Sequence, residues 1–283
     1  MDNFNASRLF GTTMEQPRLD AIRHWFDGYV QTFYDIDPDG LRNIQLKVEH
    51  TRKVCAVMDL LAAGEGLSGE ETRIAGATAL LHDVGRFPQY RRWRTFRDSD
   101  SDNHARLAVE VIREHRLLDD LPPDTCLLIE EAVRFHNLLQ PPEKVHSPTR
   151  LFIQLIRDAD KLDIWRVFLD EFTLPEEERA SAACLGLPDL AEFSPSCLAA
   201  LAKQQVVHLE DCRTLNDFKL LQISWALDLS FASSYRLLLE RGYIPRLAMT
   251  LHGKRDEVDL SLLEIMAEAE RRARHSGETT ADS

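Results

Sequence analysis

Apolar residues recur at intervals of three and four along most of this chain, and runs of strict alternation are scarce and short. Spacing of three and four gathers apolar side chains on one face of a helix, whereas alternation is typical of a half-buried strand. The pattern therefore predicts an all-α protein. Helices are expected at about 18–34, 40–64, 69–84, 102–116, 123–139, 147–170, 187–206, 214–241 and 257–275.

The length and the interruptions of this pattern predict a single helical body. With 283 residues, 44% of them hydrophobic, the chain can bury a sizeable core. The Pro-containing stretches at 139–144 and 173–181 are too short to be flexible interdomain linkers. We therefore expect one all-α body over residues 17–275, followed by a disordered polar tail at 276–283.

The charge of the chain excludes two classes of partner. A net charge of -13 argues against binding to duplex nucleic acid or to an acidic membrane surface, since both require a broad basic face. The first residues lack a signal-peptide core and no later run has the length of a membrane-spanning helix, so a cytoplasmic location is expected. The five cysteines are widely spaced without a C-x-x-C pair, and we interpret them as reduced.

Four histidines fall on the apolar faces of four predicted helices. They are His50, His82, His104 and His136. A single inward histidine is usually a hydrogen-bonded core residue, but packing gives little reason to bury four imidazoles in one acidic helical body. The set therefore indicates a metal site.

His82 is followed directly by Asp83, where the third predicted helix is about to end. Neighbouring helical residues point about 100° apart, but in a last turn the backbone can let both side chains converge. We expect Gly85 to end this helix as a left-handed cap. A cluster of histidines and aspartates suits Mn, Fe, Co, Ni or Zn, and lacks the thiolates of a structural zinc site.

A further carboxylate is expected on the helix at 147–170. Asp160 aligns with the isoleucines of that segment and Asp158 aligns with its leucines, so periodicity does not choose between them. A buried carboxylate is costly unless it is paired or bound to a metal. The alternative for either aspartate is a buried salt bridge to Lys161 or Arg157.

The ordered stretches "VEHTRKV", "LLHDVGRF", "NHARLAVEVI", "AVRFHN" and "DADKLD" resemble the HD-domain superfamily, whose minimal signature is H…HD…D across a helical bundle. The resemblance covers about residues 44–165, and more narrowly it is to a bacterial subgroup described mainly by sequence. It implies an HD core at about 41–170 and a C-terminal helical extension at about 187–275.

The resemblance also implies a ligand set. The phrase "ADKL" favours Asp160 over Asp158 as the last ligand, so the implied metal ligands are His50, His82, Asp83, His104, His136 and Asp160. The two extra histidines, His104 and His136, are similar to those of subgroups that hold two metals. Some relatives have a pair of histidines where this chain has His136 followed by Asn137, so one or two divalent transition metals per chain are expected.

Most HD proteins with an assigned activity are phosphohydrolases. The resemblance therefore implies hydrolysis of a phosphate ester of a small metabolite, such as a nucleotide, with Asp83 bridging two ions and a metal-activated water as the nucleophile. Arg86, the nearest of five arginines in the Arg-rich loop at 86–97, could contact the phosphate, and so could Lys161. The same ligand set occurs in HD-type di-iron oxygenases, which are the alternative, and a non-catalytic sensor module would carry a degenerate site.

The segment at 218–243 is apolar on too many sides for a free surface helix. We expect it to pack onto the bundle or to form the subunit interface of a homo-oligomer. Asp228 and Ser224 within it could line the substrate pocket, but the favoured expectation is a buried hydrogen-bonded pair without a catalytic role. The resemblance implies a small phosphate-bearing molecule as the partner. We see no glycine-rich nucleotide loop, so the group attached to the phosphate stays open.

Overall fold

A computed structural model of the protein describes residues 14–145, 147–174, 178–181, 186–253 and 255–274. Throughout these ranges the regular structure is helical, and no strand is present in them. The prediction of an all-α protein is confirmed. None of the helices in these ranges is both long enough and apolar enough to cross a membrane.

The chain divides into two compact units, and the first ends at Ala159 while the second begins at Asp160. The division falls inside one long helix. The single helical body expected over 17–275 stays a prediction, and the tail expected at 276–283 lies outside the described residues.

The first unit is built around one helix of small residues. Its helices are α1 (Gln16–Gln31), α2 (Pro38–Gly64), α3 (Gly69–Leu81), α4 (Arg86–Trp93), α5 (His104–Glu114), α6 (Pro123–Phe135) and α7 (Thr149–Thr173), the last of which continues into the second unit. Helix α3 contacts α1, α2 and α6, and every residue from Ile74 to Leu81 is buried. Four of these residues are alanine or glycine, so neighbouring helices can approach α3 closely on all sides.

Two of the expected helix starts are present. Asp37 caps α2 by accepting a hydrogen bond from the backbone N–H of Gly40 at 2.9 Å. Ser68 begins α3 with a capping box, in which its hydroxyl and the Glu71 carboxylate each accept from the other residue's backbone N–H. Such boxes satisfy N–H groups that have no partner inside the helix.

The expectation for Gly85 was wrong. Its φ of -69° is right-handed, and it precedes the short helix α4 where an Arg-rich loop was expected. Phe87 and Tyr90 are buried at helical spacing, but the arginines among them hid this short apolar face in the sequence.

The second unit contains α8 (Pro195–Ala202), α9 (Leu215–Ser224), α10 (Ala232–Arg241), α11 (Tyr243–Ala248) and α12 (Asp256–Arg274), together with the end of α7. All ten residues of α9 are buried. Five of them are apolar, and the other five are polar side chains, among them Asp217 and Lys219, that are buried as well.

The helix expected at 214–241 is interrupted. After Ser224 the chain forms a 3-10 turn at 225–228 and resumes as α10 at Ala232. The backbone carbonyl of Asp228 accepts from the Lys161 ammonium at 3.0 Å, and that of Leu229 accepts from the Tyr235 hydroxyl at 3.0 Å. Side chains thus satisfy carbonyls that a continuous helix would have used.

Candidate metal centre

Five of the six predicted ligands lie in the first unit, and all five are buried. His50 lies within α2, His82 ends α3, Asp83 follows it in the turn, His104 begins α5 and His136 ends α6. The exposed fraction of each is 4% or less. The inward orientation predicted for the four histidines is confirmed.

The five side chains form two groups that share Asp83. The first consists of His50, His82 and Asp83, and the second of Asp83, His104 and His136. Within each group the candidate ligand atoms all lie within 4.8 Å of one another, close enough to hold a metal ion. His82 and Asp83 do converge at the end of α3, as proposed for that dyad.

Asp83 presents a different oxygen to each group. Its Oδ2 lies 3.7 Å from Nε2 of His50 and 3.7 Å from Nε2 of His82. Its Oδ1 lies 3.5 Å from Nε2 of His104. A carboxylate placed in this way can bridge two cations.

The hydrogen bonds of three imidazoles direct their Nε2 atoms into the cluster. His82 Nδ1 lies 2.7 Å from the carbonyl oxygen of Ala79, and His136 Nδ1 lies 2.7 Å from that of Val133. A carbonyl oxygen only accepts, so each Nδ1 carries the proton and each Nε2 offers its lone pair. His104 Nδ1 contacts the Asp98 carboxylate at 2.7 Å with the same effect.

Nε2 of His104 and Nε2 of His136 lie 3.1 Å apart. Two nitrogens that each lie about 2.1 Å from one ion, at roughly a right angle, are separated by about 3 Å. The histidine-rich donor set and this convergence fit a divalent transition metal. Buried His/Asp groups able to hold such a metal are thus present in the first unit.

The electrostatics keep Asp83 and His104 in their metal-binding forms. Burial alone would raise the pKa of the Asp83 carboxyl, but the positive charges of Lys47 and Arg86 hold that pKa well below its usual range. Burial and the Arg86 charge lower the pKa of His104, against the opposite effect of its carboxylate partner. Near pH 7 the carboxylate is therefore ionised and this imidazole is neutral, as metal binding requires.

Lys47 is a residue of the site that the sequence reasoning missed. Its ammonium donates to Asp83 Oδ2 at 2.9 Å, and only 15% of its side chain is exposed. Lys47 precedes His50 by three residues on α2, so the two share a helix face. That spacing was the available signal in the sequence.

Arg86 lies between two carboxylates. Its Nε is 3.3 Å from Asp83 Oδ1, and its Nη1 donates to Asp98 Oδ1 at 3.1 Å and to the carbonyl of Phe96 at 2.6 Å. The guanidinium therefore joins the ligand turn to the loop between α4 and α5. The phosphate contact predicted for Arg86 stays a prediction.

Gly85 lets α5 approach the ligand turn. A Cβ atom built on Gly85 would lie 2.2 Å from the carbonyl oxygen of His104 and 2.4 Å from the backbone nitrogen of Ala108. Separations this short are excluded for real atoms, so glycine is required at this position by a close approach of two backbones.

Two predicted residues belong to the second unit. Asp160 is partly exposed on α7, whereas Asp158, in the first unit, is fully buried. Lys161 donates to Asp228 Oδ2 at 2.5 Å. The roles predicted for Asp160 as a ligand and for Lys161 toward a substrate stay predictions.

Comparison with known families supports this description of the site. Residues 48–165 match the model of the HD domain, a segment that contains all six predicted ligands. No curated protein matched the chain, and no solved structure matched it either. Members of the matched family are typically metal-dependent hydrolases. Residues 48–165 of the chain therefore form an HD domain.

Proposed function

We propose that this HD-domain protein is a metal-dependent phosphohydrolase acting on a phosphate ester of a small metabolite. The observation that carries the proposal is the division of Asp83 between the two ligand groups, with Oδ2 toward one and Oδ1 toward the other. Sites that clamp the attacking and leaving oxygens of a phosphoryl group use two ions held in this way.

The ligands would hold the ions as two trios, His50, His82 and Asp83 in one and Asp83, His104 and His136 in the other. We add Asp160 as the sixth ligand because the family match extends past it to residue 165. When bound, such ions would supply a water of lowered pKa and neutralise charge on the phosphate.

The charge of this ligand set favours an anionic substrate. The six ligands contribute two negative charges from Asp83 and Asp160, fewer than two divalent ions bring. Lys47 adds a further positive charge beside Asp83. We propose that Lys47 contacts a phosphate oxygen, because its ammonium is near the shared carboxylate and still partly exposed.

Arg86 and Lys161 have different proposed tasks. Arg86 holds Asp83 and Asp98 in place, with its Nη1 and Nε already close to both carboxylates. Lys161 stays a candidate for contact with the substrate, and its ammonium is at present bonded to Asp228.

The first experiment measures the metals bound by the purified chain, prepared without added metal, by elemental mass spectrometry. We then assay a panel of phosphate monoesters, diesters and nucleotides under nitrogen with Mn, Co, Ni or Zn. We expect one or two ions per chain and phosphate release without oxygen. Near two irons per chain, with no phosphate release and with oxygen consumption on a small polar substrate, would establish the HD-type oxygenase instead.

A matched pair of variants assigns the activity to the cluster. His50→Ala removes a buried ligand from the first trio, and we expect loss of an ion and at least a hundredfold fall in phosphate release. His24→Ala changes an exposed histidine on α1 and should leave both unchanged. Equal activity in the two variants would contradict the proposal.

A further inference from the structure

Asp98 is not one of the predicted ligands, but its carboxylate contacts the predicted ligand His104. It occupies the 3-10 turn at 98–100, between α4 and α5. Its Oδ2 lies 2.7 Å from Nδ1 of His104, its Oδ1 lies 2.9 Å from the same nitrogen, and the backbone N–H of His104 donates to Oδ1 at 3.4 Å. One carboxylate thus fixes both the ring and the backbone of the residue that begins α5.

Three further donors hold the Asp98 carboxylate. Arg86 Nη1 donates to Oδ1 at 3.1 Å and Gln89 Nε2 donates to Oδ1 at 2.9 Å. Asn137 Nδ2 donates to Oδ2 at 3.2 Å. Each oxygen has at least two donors, so the carboxylate has little freedom to turn away from the imidazole.

Gln89 is itself fixed. It is fully buried, and its Oε1 accepts from Arg86 at 3.0 Å. Besides Asp98 Oδ1, Ser101 Oγ at 2.9 Å and the carbonyl of Asp102 at 2.8 Å lie within hydrogen-bond distance of Nε2, so its two N–H groups are shared among three acceptors. A buried amide with this many partners is preorganised. Its position ties α4 to the turn that carries Asp98.

The contacts of Asn137 link Asp98 to the candidate ligand His136. It directly follows the ligand His136, and its amide is directed at Asp98 while the His136 ring is directed at His104. Asn137 and His136 thus both act on the Asp98–His104 pair: Asn137 donates to the Asp98 carboxylate, and the imidazole of His136 faces that of His104. Asn137 therefore supports the position of His104 through Asp98.

We propose that Asp98 is a positioning residue for the trio of Asp83, His104 and His136. By accepting the Nδ1 proton of His104, it orients that ring so that Nε2 faces Nε2 of His136 at 3.1 Å. Gln89 and Asn137 hold Asp98 for this task. The inference rests on the proposed metal centre and adds that the two trios depend unequally on Asp98, since the trio with His50 has no bond to it among the described contacts.

The test compares metal binding by Asp98→Asn and by the wild-type chain. Carboxylates that orient a ligand histidine contribute roughly 10- to 100-fold to metal affinity. We expect the variant to bind one of two manganese ions with affinity reduced by that factor and the other as the wild type does. Equilibrium dialysis with elemental mass spectrometry measures both, and the visible absorption of the cobalt-loaded protein reports the changed ligand geometry.

Two further variants make the result specific. Asp100→Asn alters an exposed carboxylate in the same turn, paired there with Arg97, and should leave both ions and the spectrum unchanged. If Asp98→Asn lowers the Tm strongly, Asn137→Ala carries the same test with a smaller effect of about tenfold or less, because it removes one donor only.

The outcomes separate this inference from the proposed function. A wild-type chain that binds two ions and an Asp98→Asn variant that binds them with equal affinity would overturn the inference alone. A wild-type chain that binds no ion would overturn the metal centre, and the inference with it.

Discussion

Gly85 and His104 bring the backbones of two segments into contact. The carbonyl oxygen of His104 lies 2.2 Å from the place where a Cβ of residue 85 would stand. The absence of that one atom lets the first turn of α5 reach the turn that carries Asp83. The distance between the candidate ligands His104 and Asp83 therefore depends on a residue that has no side chain to bind a metal.

Gly85→Ala is expected to destabilise the protein and to displace His104. The new methyl group would meet backbone atoms, which cannot rotate away, so we expect a loss of about 1–3 kcal/mol or more in the free energy of unfolding. Urea denaturation measures this loss, and dialysis against manganese should show weaker binding.

Gly28→Ala is the matched control for that substitution. Gly28 lies in α1, and a Cβ built there meets nothing within 4 Å. Alanine is the better helix former by about 1 kcal/mol, so this variant should be as stable as the wild type or more so. Equal losses in both variants would show that the close approach at Gly85 is unimportant.

Lys47→Met tests the proposed contact with phosphate. A charge-assisted hydrogen bond contributes about 1.5–3 kcal/mol, so we expect KM for the phosphate ester to rise roughly 10- to 100-fold with unchanged metal content. Lys53→Met changes an exposed lysine of the same helix and should leave KM unchanged. Loss of metal in Lys47→Met with an unchanged KM would mean that the lysine only supports Asp83.

Asp228→Ala should lower stability more than it lowers metal content. The Asp228 carboxylate accepts from the largely buried ammonium of Lys161 at 2.5 Å, and its loss would leave that charge poorly compensated. We expect the free energy of unfolding to fall by about 1–3 kcal/mol. Thermal denaturation and elemental mass spectrometry on the same sample compare the two effects.

A surface pair on α7 provides the control for Asp228. Asp170→Ala removes a carboxylate that is bonded to Arg166 and 54% exposed, so its effect should stay below about 1 kcal/mol. An unchanged Tm in Asp228→Ala, accompanied by loss of activity, would favour a catalytic role over the structural one.

Glu268 should give a pH-dependent contribution to stability. Hydrogen bonds from Arg271 and Arg272 lower the pKa of Glu268 from 4.5 to about 2. A pKa that is lower in the folded state stabilises the fold above the unfolded value, and this stabilisation is lost as the pH falls. Glu268→Gln should therefore lose up to about 1 kcal/mol at pH 7, since the pair is partly solvent-screened.

The difference in the free energy of unfolding between Glu268→Gln and the wild type should shrink as the pH falls from about 4.5 toward about 2. These are the pKa values of Glu268 in the unfolded and the folded chain. Urea denaturation at several pH values measures the difference. A difference that stays constant over this interval would mean that the Glu268 charge does not contribute.

Helical periodicity was enough to predict the long elements of the fold and the inward faces of His50, His82, His104 and His136. It did not reveal α4, because arginines surround its two buried aromatic residues, nor the break after Ser224, where side chains bind the carbonyls. Such breaks depend on residues distant in sequence. Local patterns do not contain that information.

The same limit applies to the site. His82 and Asp83 were found because they are adjacent, and Lys47 could have been found from its spacing to His50. Asp98 could not have been found, because its role depends on tertiary contacts. The fold places the turn at 98–100 against the His104 ring at the start of α5 and against the side chain of Asn137. Gly85 was noticed, but for the wrong property. A left-handed backbone conformation was expected, whereas the structure requires glycine there because it has no side chain.

The single carboxylate that belongs to both trios has a consequence for how they fill. An ion bound at one oxygen of Asp83 withdraws charge from the other oxygen and repels a second cation nearby. The two positions would then load one after the other, with separate midpoints in a titration, and the chain would exist as a singly loaded form at intermediate metal concentrations. When metal is scarce, the position that loads second would thus be the first to stay empty.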